Sequence, residues 1–587
     1  MPVPIFSQPL RWLLCGLFLS AIPLAAAEPN QKLLRYPIGL VLSHDGGTLY
    51  AANRLTGTIS SIDIATRNVV GEVDVATQLS DLQAIAKTQF FLATDEAKHE
   101  LLLLKVDDSH IDVQQRLPVS PYPVTVVVTA DGRRCVVASL WSRRLTFVDL
   151  PSDNNAEARV TKVLDLPFAP RTQLLVKGDT QLIVADSFGG RLGIVDMANT
   201  NVAHVREFPG HNIRGMGVSP NGEMLIVAHQ MLNELAHTVR NDVHWGLLMS
   251  NDLRWLKLDA VLTPNTNLYE KAHMHPLGEA GSATGDPAGL TLTANGAVVV
   301  SLGGVGEIAI GKEDDFSLYR IHVGRRPTAL VADRDARFLY VANTFDDEIS
   351  IVDIGEREVI HYVSLGEQPE LSLVQRGEQL FFDANLSHDS WMSCHSCHTD
   401  GHTNGLLNDN FSDASFGAPK RVFSLLGRAN TEPFAWAGTA DTLQEQIHKS
   451  LTHTMQADDP PTEEQLAALA AYVETLAPPP SIDLMRGVQD PAAIDRGREL
   501  FGKLECVNCH QPPVYTTPDT YDVGIDDKLG KNKFNPPALL GVGQRGPYFH
   551  DNRAVSLADV LTKHKHQLAR DLSATELKDL LAFLRSL

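Results

Sequence analysis

Positive charge is in short supply in this 587-residue chain: 50 Lys and Arg stand against 71 Asp and Glu, a formal net charge of −21. Phosphate backbones are bound by clustered Lys and Arg, so nucleic acid is excluded as a partner. An acidic surface suits a basic or neutral protein partner, and is equally an ordinary route to solubility. Long apolar runs are lacking too. The run from Trp12 to Leu24 is too short to cross a bilayer comfortably, and no later stretch reaches about 18 apolar residues. The mature chain is therefore expected to have no transmembrane segment. Cysteine is scarce, six in all. Four of them fall into two closely spaced pairs, which argues against a disulfide framework. Disorder is excluded by a composition that is 43% hydrophobic and 21% charged, and the length calls for two to four domains.

The N-terminus reads as a processing signal. Arg11 supplies the positive end, the apolar run follows, and Ala25, Ala26 and Ala27 form a small-residue cleavage site. Residues 1–27 are thus a predicted signal peptide, with a mature start near Glu28 and a periplasmic destination. Cys15 lies at the start of the apolar run, the wrong end for a lipid anchor.

Residues 28–366 repeat with a period of roughly 40 residues. Tyr50, Ala51, Ala52 and Asn53 at the start correspond to Tyr340, Val341, Ala342 and Asn343 at the end. Each group is followed by an Ile-Ser strand ending in Asp63 or Asp353. Similar openings occur near Pro123, Pro170, Asn212 and Pro287, and a degenerate copy begins near Leu82, which makes seven. Turn pairs such as Asp45-Gly46, Asp131-Gly132 and Asn221-Gly222 predict hairpins. Four short strands per copy is a β-propeller blade, and the Tyr340–Asn343 strand resembles the YVTN propeller repeats. A stretch of about 231–285, holding His237, His244, Trp245, His273 and His275, reads as an insertion in one blade. It is expected either to cover a binding face or to be a solvated loop. Cys135, in a strand-like run, reads as a buried inert thiol. Nothing in the propeller names a chemistry.

The chemistry lies downstream. Cys394-His395-Ser396-Cys397-His398 and Cys506-Val507-Asn508-Cys509-His510 are two Cys-x-x-Cys-His motifs. Two thiols three residues apart reach the two vinyl groups of one haem, and the following His points at its iron. A zinc site would want four ligands built together, and a thioredoxin-like pair would not need the trailing His twice. Two covalently bound haem c groups are therefore predicted, on Cys394, Cys397, Cys506 and Cys509, with His398 and His510 as iron ligands. The flanks repeat as well. Arg376-Gly377 leads to Phe381 before the first motif, and Arg496-Gly497 leads to Phe501 before the second. Helices are predicted after capping boxes at Thr462/Gln465 and Ser573/Glu576. The predicted division is a cytochrome c domain at 367–477, a linker at 478–490 that begins with Pro478, Pro479 and Pro480, and a second cytochrome c domain at 491–587.

Residues 370–587 resemble the di-haem cytochrome c peroxidase/MauG family. The likeness is carried by the segments 380–387, 434–438, 535–541 and 546–551, the last with Pro547, Tyr548, Phe549, His550 and Asp551. It implies that hydrogen peroxide meets the first haem at an open iron position, that electrons from a small redox protein enter through the second, and that a Trp lies between them. Trp436 matches that Trp; a core aromatic beside a turn is the plainer reading. A MauG-like variant would direct the oxidation at a periplasmic protein partner. The family's distal Met or Tyr on the second haem has no Met counterpart, since none follows Met485. The matching position is His564, with His566 as the fallback, so bis-histidine ligation is expected, which lowers the potential. The acidic residue that the family places near peroxide is also missing. His453 or His448 could move the proton, could ligate the first iron, or could be solvated. His402 is expected at the haem rim. A calcium site between the haems would come with the resemblance, but Arg421 stands where the family has Asn, which counts against it.

Taken together, the fold expected is an all-β seven-bladed propeller followed by two all-α cytochrome c domains. The function expected is that of a peroxidase-type oxidoreductase. A non-enzymatic electron carrier with the propeller as docking module is the alternative.

Overall fold

A computed structural model describes residues 33–107, 110–151 and 157–587; the predicted signal peptide lies outside them. Seven four-stranded antiparallel meanders occupy 37–74, 79–118, 123–165, 170–207, 211–276, 287–322 and 327–364. The innermost strand of each packs beside that of the next, so the meanders are the blades of a seven-bladed propeller. The second and third strands are near-continuous apolar runs, because both faces are covered by neighbouring blades. Outer strands such as Asn68–Asp74 and Asn201–Glu207 alternate with solvent instead. Seven apolar clusters fill the seven spaces between blades. Cys135 is fully buried in one of them, and burial raises its thiol pKa.

Among the described residues no strand is exchanged to close the ring. Blade one meets blade seven through Leu49, Ala51 and Ile62 against Tyr340, Ala342 and Ile349. The backbone N–H groups of Arg35 and Tyr36 donate to the Asp347 carboxylate at 2.9 and 2.7 Å. The repeated Asn has a structural task. Asn53 Nδ2 donates to Ser60 Oγ at 2.8 Å and Asn343 Nδ2 to Ser350 Oγ at 2.7 Å, tying the second strand to the third.

The stretch 231–285 is not a single insertion. Met249–Lys257 and His273–Pro276 are the third and fourth strands of blade five. What is added are the excursions 233–248 and 258–272. His273 and His275 therefore belong to the blade, whereas His237, His244 and Trp245 ride on an excursion that reaches the helical region. There His237 pairs with Asp409, and Trp391 Nε1 donates to His244 O at 3.1 Å.

The helical region contains two similar helix pairs. Leu373–Phe381 crosses Glu463–Thr475, and Pro491–Lys503 crosses Ala574–Ser586. Each crossing needs a glycine. A Cβ on Gly377 would lie 1.9 Å from Ala468 O, and one on Gly497 would lie 2.0 Å from Asp579 O. Both long second helices start in the expected capping boxes.

The propeller presents the face carrying its blade-to-blade connections. Tyr36, Asn212, Asp286 and Arg326 hold the same place at the entry to an innermost strand, each with φ of 52–53°. Left-handed backbone at bulky residues is costly and points to a task. Asp286 and Arg326 carry that task out, because both contact the helical region.

Candidate functional site

The first motif forms a short helix, Cys394–Cys397, seated directly on the propeller. The Asp286 carboxylate accepts from Ser396 Oγ at 2.7 Å and also from Ser393 Oγ. His211 Nε2 bonds Ser396 O at 2.8 Å. The Arg326 guanidinium lies 3.3 Å over the Phe382 ring, which packs against His395. Beyond the motif, Asp400 Oδ2 accepts from Arg171 and Arg214 at 2.7 and 2.8 Å, at the mouth of the propeller channel. Burial opposes the Asp400 charge, but the two guanidiniums outweigh it and hold the carboxyl well below the usual range.

Behind this seat lies a cavity of about 460 Å³. Cys394, Cys397, His398, Met392, Met455 and Trp436 are among its lining residues. Burial pushes both thiols up to about 12. His398 Nδ1 donates to Phe423 O at 2.7 Å, which leaves Nε2 with its lone pair free to bind iron. In the second motif His510 Nδ1 is held the same way by Tyr515 O at 3.1 Å. A largely apolar chamber with two neutral sulfurs and an oriented imidazole is the donor set of a c-type haem, so the residues fit the group. Cys506 packs on the core of the second helix pair.

The polar side of the cavity includes Arg421 and Arg428. Burial lowers both to about 10, and the nearby Arg545 to about 9 with help from the other two. Arg421 thus puts a guanidinium where the resemblance would place a calcium ligand, and calcium takes oxygen donors.

Trp436 lines the cavity of the first motif. Its ring stacks on Phe423 with centroids 4.3 Å apart, and Nε1 donates to Arg421 O at 2.9 Å. Its other side meets the edge of His550 at 6.2 Å, and His550 stacks on Phe534. Asn535 N donates to Trp436 O at 2.8 Å.

The other expected residues divide. His453 lines the cavity but is exposed at its edge. His448 is exposed on the outer side of Leu443–Lys449 and does not reach the cavity. The helix turns it outward and brings Gln446 in, two residues earlier. Sequence reasoning passed over Gln446, because a lone Gln carries no motif. Its Oε1 is buried without a partner, and Nε2 donates to Ser450 Oγ at 3.2 Å. His402 does not lie on the cavity wall. It is buried between Trp141 and Phe188, with Nδ1 on Ser424 Oγ. His564 is also displaced, since its Nε2 is bonded to Arg553 O at 3.0 Å. His566 has a buried Nδ1 with no partner, and burial together with neighbouring His510 pushes its pKa down to about 4. His566, the fallback residue, lies near enough to His510 for that imidazole to weigh on it. The helix Leu557–Thr562 ends before both histidines, and left-handed backbone at Lys565 and Gln567 flanks His566.

Residues 372–479 match the family model described as di-haem cytochrome c peroxidase. That match covers the first motif and its flanking helices, Leu373–Phe381 and Glu463–Thr475. Methylamine utilization protein MauG of Methylophilus methylotrophus is 27% identical over 277 residues, spanning 36% of this chain and 81% of that protein. Cytochrome c551 peroxidase of Nitrosomonas europaea is 24% identical over 270 residues, spanning 37% of this chain and 79% of that protein. Among solved structures, hydrazine synthase of Kuenenia stuttgartiensis aligns at 18% identity and a TM-score of 0.49, covering 56% of this chain and 98% of that one. The match to the di-haem cytochrome c peroxidase family implies c-type haem here. No helix among the described residues is long and apolar enough to cross a membrane.

Proposed function

We propose that the protein is an exported, periplasmic di-haem oxidoreductase that reduces hydrogen peroxide with electrons from a small redox protein. The observation that carries this reading is the single apolar cavity on which Cys394, Cys397, His398 and Trp436 converge. Covalently held haems would supply one-electron chemistry, with an open iron position at the first. Reducing one peroxide to two waters consumes two electrons and two protons, so the chain must deliver both.

Its own residues suit those tasks. His398 Nε2 and His510 Nε2 are the proximal ligands, oriented by the carbonyls of Phe423 and Tyr515. His566 is the second ligand at His510. Gln446 lines the cavity, and its buried Oε1, which has no partner, would have to turn toward the cavity to orient a peroxide O–H. His453, at the cavity edge, can exchange protons with solvent. Phe423, Trp436 and His550 make an aromatic series leading away from the first motif, suited to carry electrons from the second.

The test is optical and electron paramagnetic resonance spectroscopy of the ferric and half-reduced protein, followed by peroxide addition and turnover. A high-spin centre that responds to peroxide is expected. Trp436→Phe should leave both spectra intact and slow turnover by about tenfold or more. Two low-spin centres indifferent to peroxide would overturn the reading in favour of an electron carrier. The exposed placement of His453 at the cavity edge is the one feature that favours that alternative, through ligation of the first iron.

A further inference from the structure

Away from the cavity, where blade five meets the helical region, His244, His388 and Asp389 gather. One ligand atom from each lies within 4.8 Å of the others. It is the one such group of three or more His, Cys, Asp or Glu residues among the described residues, and it includes neither Cys-x-x-Cys-His motif. We propose that it is a divalent transition-metal site, for zinc first, that fastens the 233–248 excursion to the first cytochrome domain.

Two imidazoles and one carboxylate supply three of zinc's four positions, and a water would complete the tetrahedron. Bonds of about 2.0–2.2 Å at a tetrahedral angle put ligand atoms roughly 3.3–3.5 Å apart. His388 Nε2 is 3.5 Å from Asp389 Oδ2. His244 Nδ1 is 2.6 Å from the same oxygen, a hydrogen bond that the metal would replace. The two rings lie nearly parallel, 5.4 Å apart.

Two further features prepare the group for a metal. His388 Nδ1 donates to Asp458 Oδ1 at 2.9 Å, which fixes the tautomer and turns the Nε2 lone pair toward Asp389 and His244. Asp389 and Ser390 are consecutive residues at φ 55° and 68°. That strained pair presents the Asp389 carboxylate to both rings, and Gly281 N holds Oδ2 at 3.1 Å. The donors come from chain segments far apart in sequence, so the metal would cross-link blade five to the segment carrying the first motif. His388 N also donates to Met455 O at 3.0 Å, which ties the site to the cavity wall.

The test uses the full two-haem protein, stripped with a chelator, desalted, reloaded with zinc and desalted again. Elemental analysis should find one zinc for every two haem irons and a raised thermal midpoint. His244→Asn, which keeps a donor for Asp389, and His388→Gln should each lose the zinc and the shift while haem spectra and the metal-free midpoint stay as in the parent. His237→Ala, on the same excursion but outside the group, should retain both. Parent protein that keeps no zinc, or variants of His244 and His388 that bind as well as the parent, would overturn the site.

Discussion

His211 shows how one side chain can make the haem seat sensitive to acid. It is fully buried beneath the first motif, and burial pushes its pKa from 6.5 down to about 4. Between those values the unfolded chain takes up a proton that the folded chain refuses. Stability is therefore intact above about pH 6.5 and falls toward pH 4, by at most about 1.4 kcal/mol per pH unit for this group. His211→Gln retains an N–H for Ser396 O and removes the titration. Denaturant unfolding at about pH 6 and about pH 5 should show a gradient shallower by about 1 kcal/mol per unit than the parent's; equal gradients would rule this out. The residue scale also separates His564 from His566. The low-spin spectrum of the second haem should survive His564→Ala and change to high-spin in His566→Ala. The reverse result would return the ligand to His564.

At the scale of elements, the two helix crossings explain why an Arg-Gly pair precedes Phe381 and Phe501 alike. The glycines let the helices touch backbone to backbone, while the two Phe side chains fill the cores beneath. Gly377→Ala and Gly497→Ala should each destabilise their own helix pair by about 1–3 kcal/mol or more, since the obstructing atom is a backbone carbonyl and cannot swing aside. Unfolding followed at the haem bands would register the loss, and an unchanged midpoint would contradict the crossing geometry. These elements were legible in sequence: the capping boxes, the repeated Arg-Gly pair and the blade hairpins are local patterns. Blade five was not legible as such. Its two excursions interrupt the period, so the strands at 249–257 and 273–276 were hidden inside an apparent insertion.

Across the whole molecule, the propeller supports the helical region at the chemically important segment. Asp400, three residues after Cys397, joins Arg171 and Arg214 from two different blades. The carboxylate side chain keeps 25% of its surface open to the axial channel, so this is not a dry ion pair. Asp400→Asn should therefore cost about 1–3 kcal/mol, less than a sealed pair would. Faster proteolysis between propeller and haem domains should accompany the loss, and unchanged stability and cleavage would show that the docking does not depend on this charge. A second contact anchors the linker: Arg486 donates to Ser142 O and Arg143 O at 2.9 and 3.1 Å.

The amino-acid sequence alone determined the seven repeats, the two Cys-x-x-Cys-His motifs that end in His398 and His510, and the likeness to di-haem peroxidases. All of these are carried by residue type and short spacing. Tertiary structure decided what depends on direction and on distant neighbours. It turned Gln446 into the cavity and His448 away from it, because the helix 443–449 has one inward side. It buried His566 near His510 and tied His564 Nε2 to Arg553 O, because the chain turns after the helix 557–562 has ended. And it joined His244 to His388 and Asp389, 144 and 145 positions away in sequence, because only the docking of a blade on a cytochrome domain brings those segments within reach of one another.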